Sequence, residues 1–97
     1  MHYLYILYSE KLNKYYVGET PNVSIRLDLH NQHHFKNSFT KSAIDWEIKL
    51  EFKCVNKEHT LYLEKFIKRM KSKKFLEKLI INPLILKDIL DKKIKCP

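Results

Sequence analysis

Residues 3–8 read Tyr-Leu-Tyr-Ile-Leu-Tyr, apolar at every position, and so short a run without a polar face has the look of a strand buried on both sides of a sheet. The pattern predicts a central β-strand. Polar residues 9–14 supply a turn, and Tyr15-Tyr16-Val17-Gly18 returns as a second strand, making a hairpin. Trp46, Ile48, Leu50, Phe52 and Cys54 alternate with Glu47, Lys49, Glu51 and Lys53, which predicts a third strand with one face in water. Between strands two and three, Thr20-Pro21-Asn22 opens a helix running to about residue 34, followed by a polar loop over 35–45. A second helix is expected over 57–71, striped by Leu63, Phe66, Ile67 and Met70. Two shorter helices, 75–81 and 84–90, flank Asn82-Pro83, and a frayed basic tail is expected after Asp91. The order is ββαβααα, an α/β (α+β) class with a small three-stranded antiparallel sheet flanked by helices.

At about 100° per residue the first helix places Val23 and Leu27 on one edge of an arc and Ile25 and Leu29 on the other. Arg26 falls at the middle of that arc, with His30 and His33 beside it, while Ser24, Asp28, Asn31 and Gln32 take the opposite, solvated side. An inward guanidinium is costly unless it meets an anion or lines a wet cleft. Arg26 is therefore half of a buried ion pair, for example with Glu64, or the anion-binding group of a site. His30 has an ordinary alternative as a satisfied packing residue, although histidine suits proton transfer near neutrality. Glu64 flanks the apolar stripe of the second helix, where an i,i+4 pair with Lys68 is its plain reading. One carboxylate with waters also suffices to hold Mg²⁺ beside a phosphate. Tyr3 and Tyr5 share one face of strand one, and Tyr16 and Gly18 share one face of strand two, where a glycine admits close approach. Core packing is the ordinary role for most of the tyrosines.

The 97 residues, 44% hydrophobic, fit one domain over 1–97. A formal charge of +8 attracts polyanions, with nucleic acid first, although a basic surface also serves solubility. Of the 19 basic residues only Arg26 and Arg69 are arginine, which marks them as places where a planar, always-charged fork is required. Cys54 and Cys96 form neither a metal-ligand spacing nor a disulfide framework. With an apolar start too short for a signal or a membrane span, a cytoplasmic protein with no membrane partner is expected.

Taken in order, these residues resemble the GIY-YIG nuclease superfamily, in particular its small stand-alone members. Tyr3-Leu4-Tyr5 matches the GIY element with Tyr3 in place of its glycine, and Tyr16-Val17-Gly18 matches the YIG element. Arg26 and His30-Asn31 follow at the family's spacing, Phe39-Thr40-Lys41 and residues 46–50 resemble its loop and third strand, and residues 63–68 resemble the helix with its metal-binding glutamate. The similarity covers about 3–75, leaving 75–91 as a helical extension. It implies metal-dependent phosphodiester hydrolysis with one Mg²⁺ or Mn²⁺. Tyr16 would act as general base, its acidity raised by nearby positive charge, Tyr5 would position it or the water, and His30 would assist proton movement. Arg26 would stabilise the pentavalent phosphate, and Glu64 would hold the ion.

Two departures stand out. Glu19 occupies the place of a lysine in repair-incision relatives, and Leu76 falls near the asparagine of some restriction-enzyme relatives. An acid at 19 would repel phosphate or add a metal contact. The expected function is an endonuclease on nucleic acid, DNA being the expected form, with Thr40, Lys41, Lys68 and Lys71 among the groups that hold the backbone without reading bases. The alternative is a module of the same fold that binds nucleic acid with little or no turnover. An ordinary protein-interaction domain ranks third.

Overall fold

The first strand, β1 (His2–Ser9), lies in the middle of a three-stranded antiparallel sheet ordered β2-β1-β3, with β2 spanning Lys14–Thr20 and β3 Glu47–Cys54. The computed structural model describes residues 1–31 and 45–95. Four helices accompany the sheet: α1 (Val23–Asn31), α2 (Lys57–Met70), α3 (Lys73–Ile81) and α4 (Leu84–Lys95). The expected fold class and element order therefore hold. The helical stretch expected beyond residue 31, His33, most of the loop with Thr40 and Lys41, and Cys96 lie outside the described residues.

Successive side chains of β1 point to opposite faces, and both faces are covered. Leu4 and Ile6 join Val17, Leu50 and Cys54 against Leu63 and Ile67 of α2, Leu79 of α3, and Leu86 and Leu90 of α4. Tyr5 and Leu7 face the other way, onto Val23 and Leu27 of α1 and onto Trp46. So α1 and α2 cover opposite faces of the sheet. The apolar run of β1 is explained by this double burial.

The alternation of β3 is broken where the pattern predicted it to be continuous. Ile6 pairs with Leu50 but Leu7 pairs with Ile48, so Lys49 is an extra residue and the strand is bulged there. One inserted residue reverses the phase. Leu50 and Cys54 keep the α2 face, whereas Trp46 joins the α1 face and lies just before the strand. Asn31, expected in solvent, is half-buried and reaches this tryptophan. Its side-chain oxygen accepts from the Trp46 backbone N–H at 2.9 Å, and its amide donates to the Trp46 carbonyl at 3.2 Å. The end of α1 is thereby tied to the start of β3.

Ile25, placed on the inward arc by the wheel, is 58% exposed, while Val23 and His30 are buried. The inward line of α1 runs through Val23, Leu27 and His30 at i, i+4 and i+7, which leaves Ile25 in solvent and Arg26 half-buried beside it. In α2 the buried positions are Thr60, Leu63 and Ile67, and Met70 is exposed. The Thr60 hydroxyl donates to the Lys57 carbonyl at 2.7 Å and so needs no water. The basic tail is helical through Lys95 rather than frayed, because Leu90 is buried and Lys93 lies 5.2 Å over the Tyr62 ring and 3.7 Å from Glu58.

Side chains close the helix starts. Asn22, Asn56 and Ser72 accept from the backbone N–H groups of Ile25, His59 and Phe75 at 3.1, 2.9 and 3.1 Å. The hairpin turn is held by Asp45, whose carboxylate accepts from the buried Ser9 hydroxyl at 2.7 Å and from the Lys11 N–H at 3.0 Å; those bonds keep its acid form below the usual carboxylate range.

Asn31→Ala removes both bonds to the Trp46 backbone and leaves their partners without that side chain. It is expected to lower stability by about 2 kcal/mol in urea unfolding, whereas Ser24→Ala on the exposed side of α1 changes it by less than about 0.5 kcal/mol.

Candidate active site

The β1–β2 register sets Tyr5 directly opposite Gly18 and Leu7 opposite Tyr16. Tyr5, Gly18 and Tyr16 consequently share the α1 face. The Tyr5 ring crosses the glycine so closely that a Cβ at position 18 would lie 2.5 Å from its Oη and 2.7 Å from its Cζ. No glycine here has positive φ, so the residue is needed for space and not for a special turn.

That packing delivers the Tyr5 hydroxyl to His30 of α1, with which it shares a 3.1 Å hydrogen bond through Nε2. Tyr16 closes the group. Its ring centroid is 4.6 Å from the His30 ring and 6.2 Å from that of Tyr5. The three rings make one aromatic cluster from β1, β2 and α1. Tyr5 and His30 are buried, at 1% and 2% exposure, while Tyr16, on the edge strand, is only half-buried.

Burial governs the ionisation of the two inner groups. It drives the Tyr5 phenol well above its ordinary value, Tyr16, Glu64 and Glu19 add to the rise, and the Arg26 guanidinium opposes it. Burial together with the Arg26 charge lowers His30 to about 4. Both groups are neutral at pH 7. Arg26 and Glu64, which act on the Tyr5 phenol in opposite directions, come from α1 and α2, the helices on opposite faces of the sheet.

Glu64 itself accepts from Lys68 Nζ at 2.9 Å, the i,i+4 pair that its spacing suggested. Lys68 is more than half exposed, so that pair is worth only a few tenths of a kcal/mol. Among the described residues no three His, Cys, Asp or Glu side chains cluster as metal ligands. A lone carboxylate held by so weak a partner suits a hard cation that keeps its waters, and does not suit a transition-metal cage. Glu19 pairs with His2 at 3.0 Å.

Lys68 and Lys71 line a cleft of about 490 Å³ between β2 and the α2–α3 junction, which Tyr16 also lines. Tyr16 is thus in contact with His30 of α1 on one side and faces α2 on the other. Lys14, which was not singled out as a site residue, borders the same cleft, as does Lys73. The hairpin residue Asn13 accounts for part of this, since it accepts from Lys73 Nζ at 2.9 Å across 60 residues of chain and from the nearby Tyr8 hydroxyl at 2.8 Å. No local pattern announces such a contact. Thr40 and Lys41 lie outside the described residues.

The family model of the GIY-YIG catalytic domain matches the chain over residues 1–82. No curated protein and no solved structure gives a match. Among the described residues no helix is long and apolar enough to cross a membrane.

A buried histidine held below its ordinary value contributes stability that is complete above about pH 6.5 and is lost as pH falls towards 4, because only the unfolded chain takes up the proton easily. Unfolding followed across that window should show a loss on the order of 2 kcal/mol that a His30→Gln variant lacks. Gly18→Ala must push the Tyr5 ring aside, and is expected to lower stability by about 1–3 kcal/mol in urea and to move the His30 ring resonances in NMR spectra.

Proposed function

Since this chain belongs to the GIY-YIG family of nuclease catalytic domains, we propose that it is a metal-dependent endonuclease hydrolysing phosphodiester bonds of nucleic acid, DNA being the expected form, with little sequence preference of its own. The observation that supports the reading most is the packed cluster of Tyr5, Tyr16 and His30 from β1, β2 and α1. Tyr5, Tyr16 and His30 touch, and Arg26 and Glu64 are close enough to shift the ionisation of Tyr5.

Exposure divides the labour between the phenols. Tyr5 is buried and resists ionisation, so it serves as a fixed neutral partner of His30. Tyr16 is only half-buried, and as the phenolate it would take a proton from the attacking water as the new P–O bond forms and the bond to the 3′ oxygen breaks. His30 is uncharged at neutral pH and resists protonation there, so it packs against Tyr16 and assists proton movement as a neutral hydrogen-bonding group. Arg26 supplies permanent positive charge for the pentavalent phosphate. Glu64 would hold one Mg²⁺ or Mn²⁺, which when bound polarises the phosphate and offsets charge on the leaving oxygen. Lys68 and Lys71, in the cleft beside Tyr16, hold the backbone without reading bases.

A second reading, a binding module of the same fold with little turnover, is favoured by one feature. Glu64 is engaged by Lys68, and a second acid, Glu19, by His2. One comparison separates the two. Under the nuclease reading, Glu64→Gln and Arg26→Ala each reduce Mg²⁺-dependent cleavage of plasmid or branched substrates by at least about 100-fold, while Glu64→Gln leaves binding in EDTA intact. Wild-type protein that binds but cuts no DNA or RNA with either ion refutes the enzyme.

A further inference from the structure

The cleft beside Tyr16 carries more than a phosphate track requires. Tyr15, Val17, Ile67 and Leu76 supply apolar lining, Lys14, Lys71 and Lys73 supply charge, Tyr16 borders it from the edge strand, and among the described residues no carboxylate lines it. A volume of about 490 Å³ is within the range of small-ligand sites, roughly 300–1,000 Å³. The lysines alone would suit any polyanion. The apolar side is what discriminates, because a base-paired duplex offers phosphates there and keeps its base faces stacked inside.

A second feature continues the cleft along the hairpin. Tyr8 and Tyr15 pack with centroids 4.8 Å apart, Lys49 lies 5.9 Å over the Tyr8 ring, and Lys73 lies 5.9 Å over the Tyr15 ring. Aromatic rings interleaved with cations form the surface that holds unpaired nucleotides, bases on rings and phosphates on ammonium groups. Lys71 adds a third observation. It sits at the left-handed C-cap of α2, with φ 48°, where glycine would be less strained.

Deepening the nuclease reading, on which it rests for the class of ligand, we propose that this cleft receives an unpaired base of the substrate strand, with its flanking phosphates on the rim lysines. The preferred nucleic acid then carries a single-stranded segment, such as an overhang, flap or loop, beside the bond to be cut. Charge complementarity selects the occupant. The lysines of the lining, of which Lys68 is already paired with Glu64, meet a ligand that is anionic along its backbone and flat and apolar at its bases.

The test uses the full chain in EDTA, so that binding is read without cleavage. Fluorescence anisotropy compares single-stranded DNA, single-stranded RNA, a blunt duplex of the same sequence, and an acidic peptide of equal charge. At least one single strand should bind about tenfold tighter than the duplex, the gain expected from a stacked base, and the two single-stranded arms settle which sugar is preferred. A fluorescent base analogue in the strand should be quenched on binding. Lys71→Gly removes a rim charge while easing the backbone, so it is expected to stay folded and to lose single-strand affinity several-fold. Leu76→Glu should abolish the quenching. Equal or tighter binding of the blunt duplex, an unquenched reporter, or equal binding of the acidic peptide overturns the proposal. A separate cleavage assay with Mg²⁺ keeps the two claims apart: a chain that prefers single strands yet cuts nothing upholds the cleft and removes the nuclease, and one that cuts DNA without any single-strand preference does the reverse.

Discussion

The Tyr5 ring occupies the volume that any side chain at position 18 would need, and from that contact its hydroxyl is within reach of His30. Because Gly18 is the cross-strand partner of Tyr5, the ring can lie down against β2 and not stand away from the sheet. Its hydroxyl then reaches Nε2 of His30 at 3.1 Å, which fixes the face that α1 turns inward. The inward line Val23, Leu27 and His30, with Ile25 left in solvent, satisfies a polar partner on the sheet as well as apolar packing. A wheel drawn from hydrophobicity alone has no access to that partner.

Burial and charge divide the site into an inner and an outer part. Placing an ion where Tyr5 and His30 sit would cost several kcal/mol, while a neutral hydrogen bond between them contributes about 1 kcal/mol. The inner pair therefore stays uncharged, and the opposite directions of the two shifts, phenol up and imidazole down, express one cause. Permanent charge is carried further out by Arg26, Glu64 and the cleft lysines. Arg26 opposes the rise of Tyr5 but reinforces the fall of His30, since a cation favours a phenolate and disfavours an imidazolium.

The parts of the fold that depend on local pattern were legible in the sequence. The uninterrupted apolar run of β1 identified the central strand, and turn residues and spacing located β2 and the helices to within a few residues. The bulge at Lys49 was not legible, because a strand with an inserted residue alternates in sequence like one without, and only the pairing with β1 reveals that Trp46 has changed faces. The same holds for Asn31, whose two bonds to Trp46 span 15 residues, and for the last turn of α4, anchored by Lys93 on α2. At the site, Tyr5, Tyr16, Gly18 and His30 were singled out and come together. Their residue types and order carried that information. Lys14 was not foreseen as a cleft residue, because the hairpin tip meets α3 through Asn13, a contact that no periodicity encodes.

Strand order decides which of these groups a substrate can reach. In an arrangement β2-β1-β3 the middle strand is covered on both faces, and a phenol at the centre of β1 is sealed, as Tyr5 is at 1% exposure, whereas Tyr3 and Tyr8 near its ends are half-buried. A phenol on β2 lies at an open edge. There the two faces of the sheet meet, and a side chain can touch α1 through His30 while bordering a cleft built from α2 and α3. Arg26 and Glu64 both act on the Tyr5 phenol of the central strand, the first opposing and the second adding to its rise. The topology thus separates the two tyrosines of the motif into a buried support and an accessible group, a distinction that their similar sequence settings do not contain.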